Sequence, residues 1–451
     1  MCSEERRFDL VIYGATGFTG ALVARYALRT LNEKKVALAG RSQKKLEELL
    51  QQLGKSCELF AVESCDVEGL ENLARGTKVL INCAGPFSLF GLNVVRSCIA
   101  AGTDYVDITG EPRFIDQLGI PYSENNEIFE AAVQAGVLVI PACGFDSVPA
   151  DLGTIFSVRA LERMLEQHAT ETEAPLTDTE VSVECFMHFS GQRSLSKGSI
   201  SGLSAGTFHT ILESLRGMES YRERKNQRRR QMNGSTQTIR PAGESSSKKP
   251  RFHYEKRAGL EGYALPLMSS DPVIVRASAK RFEEKSTQRA KTFSYSQYIL
   301  MDSWVALSKL AFQAAAVFAL SRVGSFGQRI LRYWKPEGFG PDEEYRSQTR
   351  ADVHFIAETD VKLANSGRRA RASVHTVCTT REMYEVTAFF SVEAALCIIE
   401  VRSKLLEQAG CFTCGSVLGN ELLARLIYKS GIEDNPAVSF KILEQDFRVF
   451  D

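Results

Sequence analysis

The sequence lacks a net charge, because 55 basic residues balance 55 acidic ones across 451 positions. A chain whose whole surface binds nucleic acid would carry a basic surplus, so this class of protein is disfavoured. Hydrophobic residues make up 44% of the chain and charged residues 24%, which excludes wholesale disorder and a continuous coiled coil. One hydrophobic core stops growing at about 250–300 residues, so we expect two or three domains.

The sequence also lacks an ordered framework of cysteines or histidines. Eleven cysteines are scattered along the chain, and a charged N-terminus leads directly into an apolar stretch. This pattern predicts no secretory signal, a reducing compartment and a cytoplasmic location. The one close pair, Cys411 and Cys414, has no second pair at zinc spacing, and none of the six histidines lies at ligand spacing from another ligand. We therefore expect no metal site.

No run of about 20 uncharged apolar residues is present, which is the length that a membrane-spanning helix needs. The most apolar long segment is Trp304–Val323, in which Lys309 and Arg322 bracket only 12 uncharged positions. Three alternatives remain open for this predicted helix. It is buried in the core, it lies in a membrane interface, or it forms a subunit contact.

What is present at the start of the chain is a dinucleotide-binding pattern. Phe8–Tyr13 predicts a buried strand, a glycine-rich turn follows at once, and Ala21–Thr30 has helical periodicity. Gly14 permits a tight turn, Gly17 lets the backbone approach a pyrophosphate, and Gly20 lets the helix pack against the strand. The first glycine is displaced by one position from the usual G-x-G-x-x-G spacing.

The next predicted strand favours NADP(H) over NAD. It ends at Gly40 and is followed by Arg41 and Ser42, at the expected interval after the glycine turn. An acidic residue in this position holds a ribose 2′-hydroxyl, whereas a basic residue accommodates a 2′-phosphate. The structural alternative is a solvated basic start to a helix.

Strands then alternate with helices through the first third of the chain. Further strands are predicted at Glu58–Val62, Lys78–Cys83, Asp104–Ile108 and Val137–Pro141, with helices at Asn93–Ala101 and Ser123–Ala135. This alternation predicts an α/β domain with a Rossmann-type, doubly wound parallel sheet in residues 1–153. Functional groups are then expected at the carboxyl ends of the strands.

The residues at those ends form the predicted site. The expected cofactor-binding residues are Gly14, Thr16, Gly17, Phe18, Thr19, Gly20, Arg41, Ser42, Asp66, Cys83, Ala84, Gly85, Pro86 and Gly110. The catalytic group is not assigned, and Glu111, Cys143 and Asp146 are candidates for the proton donor. Each has a structural alternative, since an Asp before a turn often caps a helix.

These segments resemble a known family, the saccharopine dehydrogenase-like oxidoreductases. The resemblance rests on Gly14–Gly20, Asn82–Phe87, Tyr105–Pro112 and Gly144–Gly153, and more weakly on two later segments, Tyr263–Arg276 and Gly410–Gly415. It covers nearly the whole chain. It implies a second, α+β domain in residues 154–451 that binds substrate. The sequence pattern predicts strands at Asp352–Glu358 and Arg371–Thr379 and a helix at Thr387–Leu406, and the resemblance places these elements in that domain. A homodimer formed through this domain is also expected.

Residues 216–257 have a distinct composition, with 13 basic and 4 acidic residues and a net charge of +9. We expect a flexible basic insertion here. It is either a solvated loop or a segment attracted to an anionic membrane surface. Nucleic acid is a weaker alternative, because few aromatic residues are interleaved. The spacing of Tyr221 and Lys225 matches a short-chain dehydrogenase pair by chance.

The leading hypothesis is an NADP(H)-dependent oxidoreductase that transfers hydride to a lipid-related or other apolar substrate with an enoyl, carbonyl or imine group. The alternative is a catalytically weak or inactive NADP-binding protein on lipid droplets or membranes. Both hypotheses place the chain in the cytoplasm. The second hypothesis makes it a peripheral protein on lipid droplets or an organelle membrane. The oxidoreductase hypothesis is supported by the resemblance to enzymes. The lipid-associated alternative is supported by the apolar segment and by the resemblance to relatives found on lipid droplets or membranes.

Overall fold

A computed structural model describes most of the chain. The described residues are 6–120, 126–168, 180–191, 193–200, 202–211, 251–257, 259–267, 269–285, 292–323, 338–362, 368–405, 407–432 and 436–450, with residues 327, 329–330, 333–334 and 336. Most of the predicted basic insertion, and the Tyr221–Lys225 spacing, therefore lie outside the described residues.

Helices and strands alternate at the start of the chain, and longer strands follow. The helices are α1 (Phe18–Thr30), α2 (Gln43–Leu53), α3 (Val67–Arg75), α4 (Phe87–Ala101), α5 (Pro112–Gln117), α6 (Glu127–Ala135), α7 (Val148–Gln167), α8 (residues 205–211), α9 (Asp271–Lys285), α10 (Trp304–Arg322), α11 (Glu343–Gln348), α12 (Met383–Val401) and α13 (Cys414–Ile432). The strands are β1 (Phe8–Tyr13), β2 (Val36–Gly40), β3 (Glu58–Ala61), β4 (Thr77–Asn82), β5 (Asp104–Asp107), β6 (Leu138–Ile140), β7 (Glu180–Ser190), β8 (His253–Arg257), β9 (Leu260–Pro266), β10 (Thr292–Met301), β11 (Arg350–Lys362), β12 (Arg369–Arg381), β13 (Gly410–Cys411) and β14 (Val438–Phe450).

The first sheet is parallel throughout and has the strand order β13-β6-β5-β4-β1-β2-β3. The order reverses between β1 and β4, and in such sheets a ligand binds in the crevice at this reversal. The side chains of β1 and β2 are almost entirely buried, as expected for a sheet that helices cover on both faces. The predicted Rossmann-type sheet is confirmed.

Late segments of the chain return to this first sheet, which the sequence did not predict. Strand β13 pairs with β6, and α12 packs against α1 and β4. The resemblance implied that a helix at Thr387–Leu406 belongs to the second domain. Instead the helix begins at Met383, because Glu382 caps it, and it packs against α1, β4 and β5 of the first sheet in a hydrophobic core that both sheets share.

The second sheet is mixed, with the order β14-β12-β11-β7-β10-β9-β8. Only β7 and β10 run parallel within it, and one face packs against α7. Strand β8 corrects the predicted insertion of residues 216–257, because His253–Arg257 pairs in register with β9. The flexible-insertion interpretation therefore does not extend to its last five residues.

Helix α10 confirms that the apolar segment is helical, but most of it is exposed. Its inner side is narrow: Ala306 and Val317 are buried, and Leu307, Leu310, Gln313 and Leu320 are half-buried. The outer side presents Phe312, which is 77% exposed, and Trp304, which is 59% exposed. The interpretation of a helix buried in the core is therefore wrong. Among the described helices, none combines the length and the apolar character needed to cross a membrane.

Candidate nicotinamide-cofactor site

The glycine turn connects β1 to α1 at the reversal of strand order. Gly14 has a φ of +79°, a conformation that favours glycine. A Cβ on Gly14 would lie 2.7 Å from the backbone nitrogen of Ala84, and a Cβ on Gly20 would lie 2.2 Å from the carbonyl oxygen of Gly14. The turn, β4 and α1 therefore approach each other too closely for any side chain at these two positions.

Gly17 differs from Gly14 and Gly20, because the space around its Cα is open to solvent. It is exposed, and the nearest atom to a Cβ placed there is the oxygen of Gly14 at 3.4 Å. No side chain caps the amino end of α1, and its first turn contains no acidic residue. The backbone N–H groups of Phe18 and Thr19 therefore face a space that suits a pyrophosphate. The described residues thus fit the diphosphate of a dinucleotide.

The residues that are predicted to bind the 2′-phosphate lie at the end of β2. Arg41 is exposed, and the hydroxyl of Ser42 accepts a hydrogen bond from the backbone N–H of Lys45 at 3.4 Å as the N-cap of α2. The exposed Arg41 and the amino end of α2 together present positive charge to a phosphate. Asp66 caps α3 through the N–H of Gly69 at 2.9 Å, so its side chain has a structural role as well.

The segment after β4 forms the opposite wall of the site. The Gly85–Pro86 peptide bond is cis, and α4 begins directly after it. Glu111, which is 2% exposed, accepts hydrogen bonds from the backbone N–H groups of Phe87 and Ser88, both at 2.8 Å. Both oxygens of this candidate acid thus hold the start of α4. This contact also explains why α4 begins at Phe87 rather than at the predicted Asn93.

A second buried carboxyl group, Asp107, ties the ends of the neighbouring strands together. It accepts hydrogen bonds from the N–H groups of Thr109 and Ala142 at 2.9 Å and from the hydroxyl of Tyr105 at 2.9 Å. Burial raises the pKa of Asp107 to about 7. The network fixes the loops that carry Gly110 and Cys143.

Asp146 is the candidate that faces the cleft. Its side chain lies against Gly110, where a Cβ would approach the carboxylate to 2.5 Å. The group is solvent accessible, and within the described residues no hydrogen-bond donor reaches it. Partial loss of hydration beside the protein raises the pKa of this carboxyl group, although solvent still reaches it.

Asp271 lies next to this group, although 125 positions separate the two in the chain. It begins α9, is 1% exposed, and accepts hydrogen bonds from Ser147 at 3.2 Å and from Gln297. Burial, with a further contribution from the negative charge of Asp146, raises the pKa of Asp271 to about 7. Two carboxyl groups, one from the turn before α7 and one from the start of α9, therefore lie close together.

Cys143, the third catalytic candidate, is fully buried. Its thiol donates a hydrogen bond to the carbonyl oxygen of Ile140 at 3.4 Å, and its side chain belongs to the hydrophobic core. The described contacts therefore place Cys143 behind the cleft wall, not on its surface.

Residues near α8 roof the cleft. The hydroxyl of Tyr384 accepts a hydrogen bond from the N–H of Ser204 at 2.6 Å and donates to Thr207 at 2.9 Å, while its ring packs edge-on against Phe18 at 5.1 Å. Thr210 donates to Glu111 at 3.5 Å. Residues 202–207 thus lie beside the glycine turn.

Sequence reasoning missed Asp271, Asp107 and Tyr384. The dipeptide Asp271-Pro272 is a typical helix start, but it carries no sign of its distant partner Ser147. Asp107 is the second-last residue of the strand predicted at Asp104–Ile108, and its position near a strand's carboxyl end is the signal that could have identified it.

The comparisons with known proteins agree with this geometry. Residues 10–140 match the family described as the saccharopine dehydrogenase NADP binding domain. A human saccharopine dehydrogenase-like oxidoreductase is 27% identical over 96% of this chain and 98% of its own length. A Mycobacterium tuberculosis protein named as a trans-acting enoyl reductase is 29% identical over 94% of this chain and 97% of its length.

Two further similarities bear on location and fold. A Caenorhabditis elegans protein named lipid droplet localized protein is 27% identical, over 94% of this chain and 97% of its length. The solved saccharopine dehydrogenase (L-Glu forming) of Saccharomyces cerevisiae covers 97% of this chain and 100% of that one, with a TM-score of 0.54 and 15% identity. This last likeness shows the shared fold. The resemblance found in the sequence is confirmed: the chain is similar over nearly its whole length to saccharopine dehydrogenase-like oxidoreductases, and its residues 10–140 match the NADP-binding domain of saccharopine dehydrogenase.

Proposed function

We propose that the protein reduces an apolar, lipid-related substrate that carries an enoyl, carbonyl or imine group. The observation that carries this proposal is the position of Asp146, a carboxyl group of raised pKa that lies against Gly110 and faces the cleft. The name of the Mycobacterium tuberculosis relative supports an enoyl group among the three. The residues predicted to bind the cofactor support the proposal, because they follow β1, β2 and β4 of the same parallel sheet.

NADPH, when bound, supplies the hydride. The reduction also consumes one proton, which must reach the atom of the double bond that does not receive the hydride. Asp146 is placed to donate it, because a carboxyl group of raised pKa retains its proton closer to neutral pH. Asp271 holds Ser147 through a hydrogen bond and so fixes the turn that carries Asp146.

The preference for NADP(H) is assigned to Arg41. In a fluorescence titration, NADPH is expected to bind more tightly than NADH, and Arg41→Glu should reduce or reverse that preference by about tenfold or more. Lys55→Glu, at an exposed basic residue beyond the carboxyl end of α2, is the matched control. If Arg41→Glu kept the preference for NADPH over NADH, the assignment of Arg41 to the 2′-phosphate would be wrong.

The catalytic assignment is tested by NADPH oxidation with a panel of enoyl, carbonyl and imine substrates. Asp146→Asn should lower kcat by about 100-fold, which is the usual contribution of a positioned proton donor, without a change in NADPH affinity. Turnover by Asp146→Asn at the wild-type rate would assign the proton to another group.

The second candidate function is an NADP-binding protein of little or no activity, peripheral on lipid droplets or an organelle membrane. The exposed apolar surface of α10 and the structural engagement of Glu111 favour it. The name of the Caenorhabditis elegans relative agrees with it. Tight NADPH binding without turnover of any substrate in the panel would support this candidate over the first. A homodimer remains a separate proposal.

A further inference from the structure

A cavity outside the cofactor site lies between α7 and α9. One face of each helix lines it, within residues 151–162 of α7 and residues 275–282 of α9, and Val181 and Phe293 of the second sheet complete the lining. At about 1.5 Å per residue, the lining stretch of α7 is about 16 Å long. The cavity is therefore an elongated groove between two helices.

The groove is apolar except at its ends. Asp151, Thr154 and Ser278 lie at one end and Arg159 and Glu162 at the other, while the remaining lining side chains are hydrocarbon. A ligand that matches this lining is apolar along most of its length and has its polar group at an end.

The groove is narrow and opens to solvent. Its volume is about 60 Å³. A single water molecule needs about 10–15 Å³, whereas an engineered apolar cavity that binds benzene has about 150 Å³. Val158 and Ala279, on opposite walls, are only half-buried, so a chain that fills the groove can extend to solvent. These dimensions favour a slender, unbranched chain over a ring.

The groove is distinct from the cleft that holds the cofactor site. The hydrogen bond between Ser147 and Asp271 lies one helical turn nearer to the amino ends of both helices, and Asp146 precedes it in the chain. Asp151 and Val275 begin the groove on the far side of that contact. A molecule in the groove therefore leaves the places of the nicotinamide and of the proposed substrate open.

Asp151 brings a carboxyl group to the inner end of the groove and is 1% exposed. One of its oxygens, Oδ2, accepts hydrogen bonds from the hydroxyl of Ser278 at 2.9 Å and from the backbone N–H of Gly415 at 2.7 Å. The other oxygen, Oδ1, is also buried and has no hydrogen-bond partner within the described residues. Because a buried polar atom without a partner is costly, Oδ1 requires one from outside the chain.

A role in the fold accounts for only one of the two oxygens. Oδ2 binds the start of α13, and the amide oxygen of an asparagine would serve that purpose without a charge to desolvate. Burial raises the pKa of Asp151 to about 7, so keeping an acid at this position has a cost. The carboxyl group is therefore better explained by what Oδ1 contacts.

A hydroxyl group suits Oδ1 better than a charged group does. A hydroxyl donates to a carboxylate and accepts from a carboxylic acid, so it pairs with Asp151 in either protonation state. An ammonium group would bring three donors to one oxygen, and a second carboxylate would repel Asp151 when both are ionised.

We propose that the groove between α7 and α9 binds an unbranched alkyl chain with a terminal hydroxyl group. The hydroxyl group hydrogen-bonds to Oδ1 of Asp151, and the chain lies along the two helices toward solvent. This site goes beyond the proposed function and does not depend on it.

The ligand is tested by isothermal titration calorimetry of the full chain, saturated with NADPH, at about pH 8, where Asp151 is largely ionised. The probes are 1-octanol, its isomer 1-methoxyheptane, which has no hydroxyl group to donate, and cyclooctanol, which closes the same number of carbon atoms into a ring. One 1-octanol should bind per chain. The other two probes should bind about tenfold more weakly or worse.

The position of the site is tested by two variants that fill the groove from opposite walls, Ala279→Leu on α9 and Val158→Met on α7. Ala100→Leu is the matched control, since Ala100 is exposed on α4. Both filling variants should bind 1-octanol about tenfold more weakly or worse, and the control should bind it like the wild type. Urea unfolding identifies a variant that does not fold, in which case the other variant decides.

The head group is tested by Asp151→Asn. The amide oxygen can keep the hydrogen bonds from Ser278 and Gly415, which places the NH₂ group where Oδ1 was. This group donates to the oxygen of an alcohol and to that of an ether alike. The preference for 1-octanol over 1-methoxyheptane should therefore be lost.

Three results would overturn the proposal. If the wild type did not bind 1-octanol, Oδ1 would be left to a water molecule. If both filling variants bound 1-octanol like the wild type, the alcohol would bind elsewhere. If octylamine or octanoate bound more tightly than 1-octanol, the hydroxyl assignment would be wrong. None of these measurements depends on NADPH oxidation, so a failure here and a failure of the proposed function are distinguishable.

Discussion

The three glycines of the first turn should respond differently to a single added methyl group. A Cβ on Gly20 would lie 2.2 Å from the oxygen and 2.9 Å from the carbonyl carbon of Gly14, which are backbone atoms that cannot rotate away. The turn must therefore shift, and overpacking of this kind costs about 1–3 kcal/mol of unfolding free energy. Gly20→Ala should lose both stability and NADPH binding.

Gly17→Ala should separate these two effects. Gly17 has an extended backbone, with φ −73° and ψ 163°, that alanine adopts without strain, and its nearest neighbour would be 3.4 Å away. The change in N-cap residue and the reduced freedom of the unfolded chain act in opposite directions, each by up to about 1 kcal/mol. Unfolding free energy should therefore stay within about 1 kcal/mol of wild type.

NADPH affinity of Gly17→Ala should nevertheless fall by about tenfold or more, because the methyl group occupies the space through which the pyrophosphate approaches the backbone. The assays are urea unfolding and NADPH fluorescence. Gly40→Ala is the control, since its Cβ would meet Thr16 at an ordinary 3.6 Å. Wild-type affinity in Gly17→Ala, or wild-type stability in Gly20→Ala, would refute this account of the turn.

Two further predictions concern buried titratable groups. Glu111→Gln should lower unfolding free energy by about 1–3 kcal/mol in urea titrations, because glutamine offers one acceptor oxygen to two backbone N–H groups; loss of turnover at wild-type stability would instead make Glu111 catalytic. Burial, and then the charge of His375, lowers the pKa of His354 to about 4. The unfolded chain therefore binds more protons than the folded chain between about pH 4 and 6.5. The free energy of unfolding should fall as the pH is lowered through that window. In His354→Gln the loss of unfolding free energy on acidification should be smaller, by about 3 kcal/mol or less. An unchanged dependence of stability on pH would contradict the lowered pKa of His354.

The local parts of the fold were predictable because their signals are local. The first turn, the Rossmann strands and the position of Arg41 each depend on a few consecutive residues, and the structure has the predicted order of elements. Element ends differ where a distant residue decides them. Helix α4 begins six residues before its predicted start because Glu111 caps it from the next strand's loop.

The assembly of the cleft could not be predicted from local pattern. Phe145 donates its backbone N–H to Thr387 at 3.0 Å across 242 positions, and Ser147 reaches Asp271 across 124. Such contacts depend on how two sheets pack, and hydrophobic periodicity says only that a face is buried. For the same reason α10 was left with three alternatives, since an exposed apolar helix and a buried one have the same sequence pattern.

The buried carboxyl groups differ in whether a cation contacts them, and this difference decides whether their pKa is lowered or raised. Glu393 is fully buried but contacts Arg425 and Lys429, and although burial opposes ionisation, these cations hold its pKa below the usual value.

Asp271 has no cation among its hydrogen-bond partners in the described structure, and it accepts only from side chains. Its nearest charged influence is another carboxyl group, Asp146, which raises its pKa further. A pair of acids without a cation is costly to fold and holds a proton near neutral pH. Asp107 is also a buried acid without a cation among its described hydrogen-bond partners, so a raised pKa alone does not mark a proton donor. What distinguishes Asp146, the proposed donor, is that it is exposed.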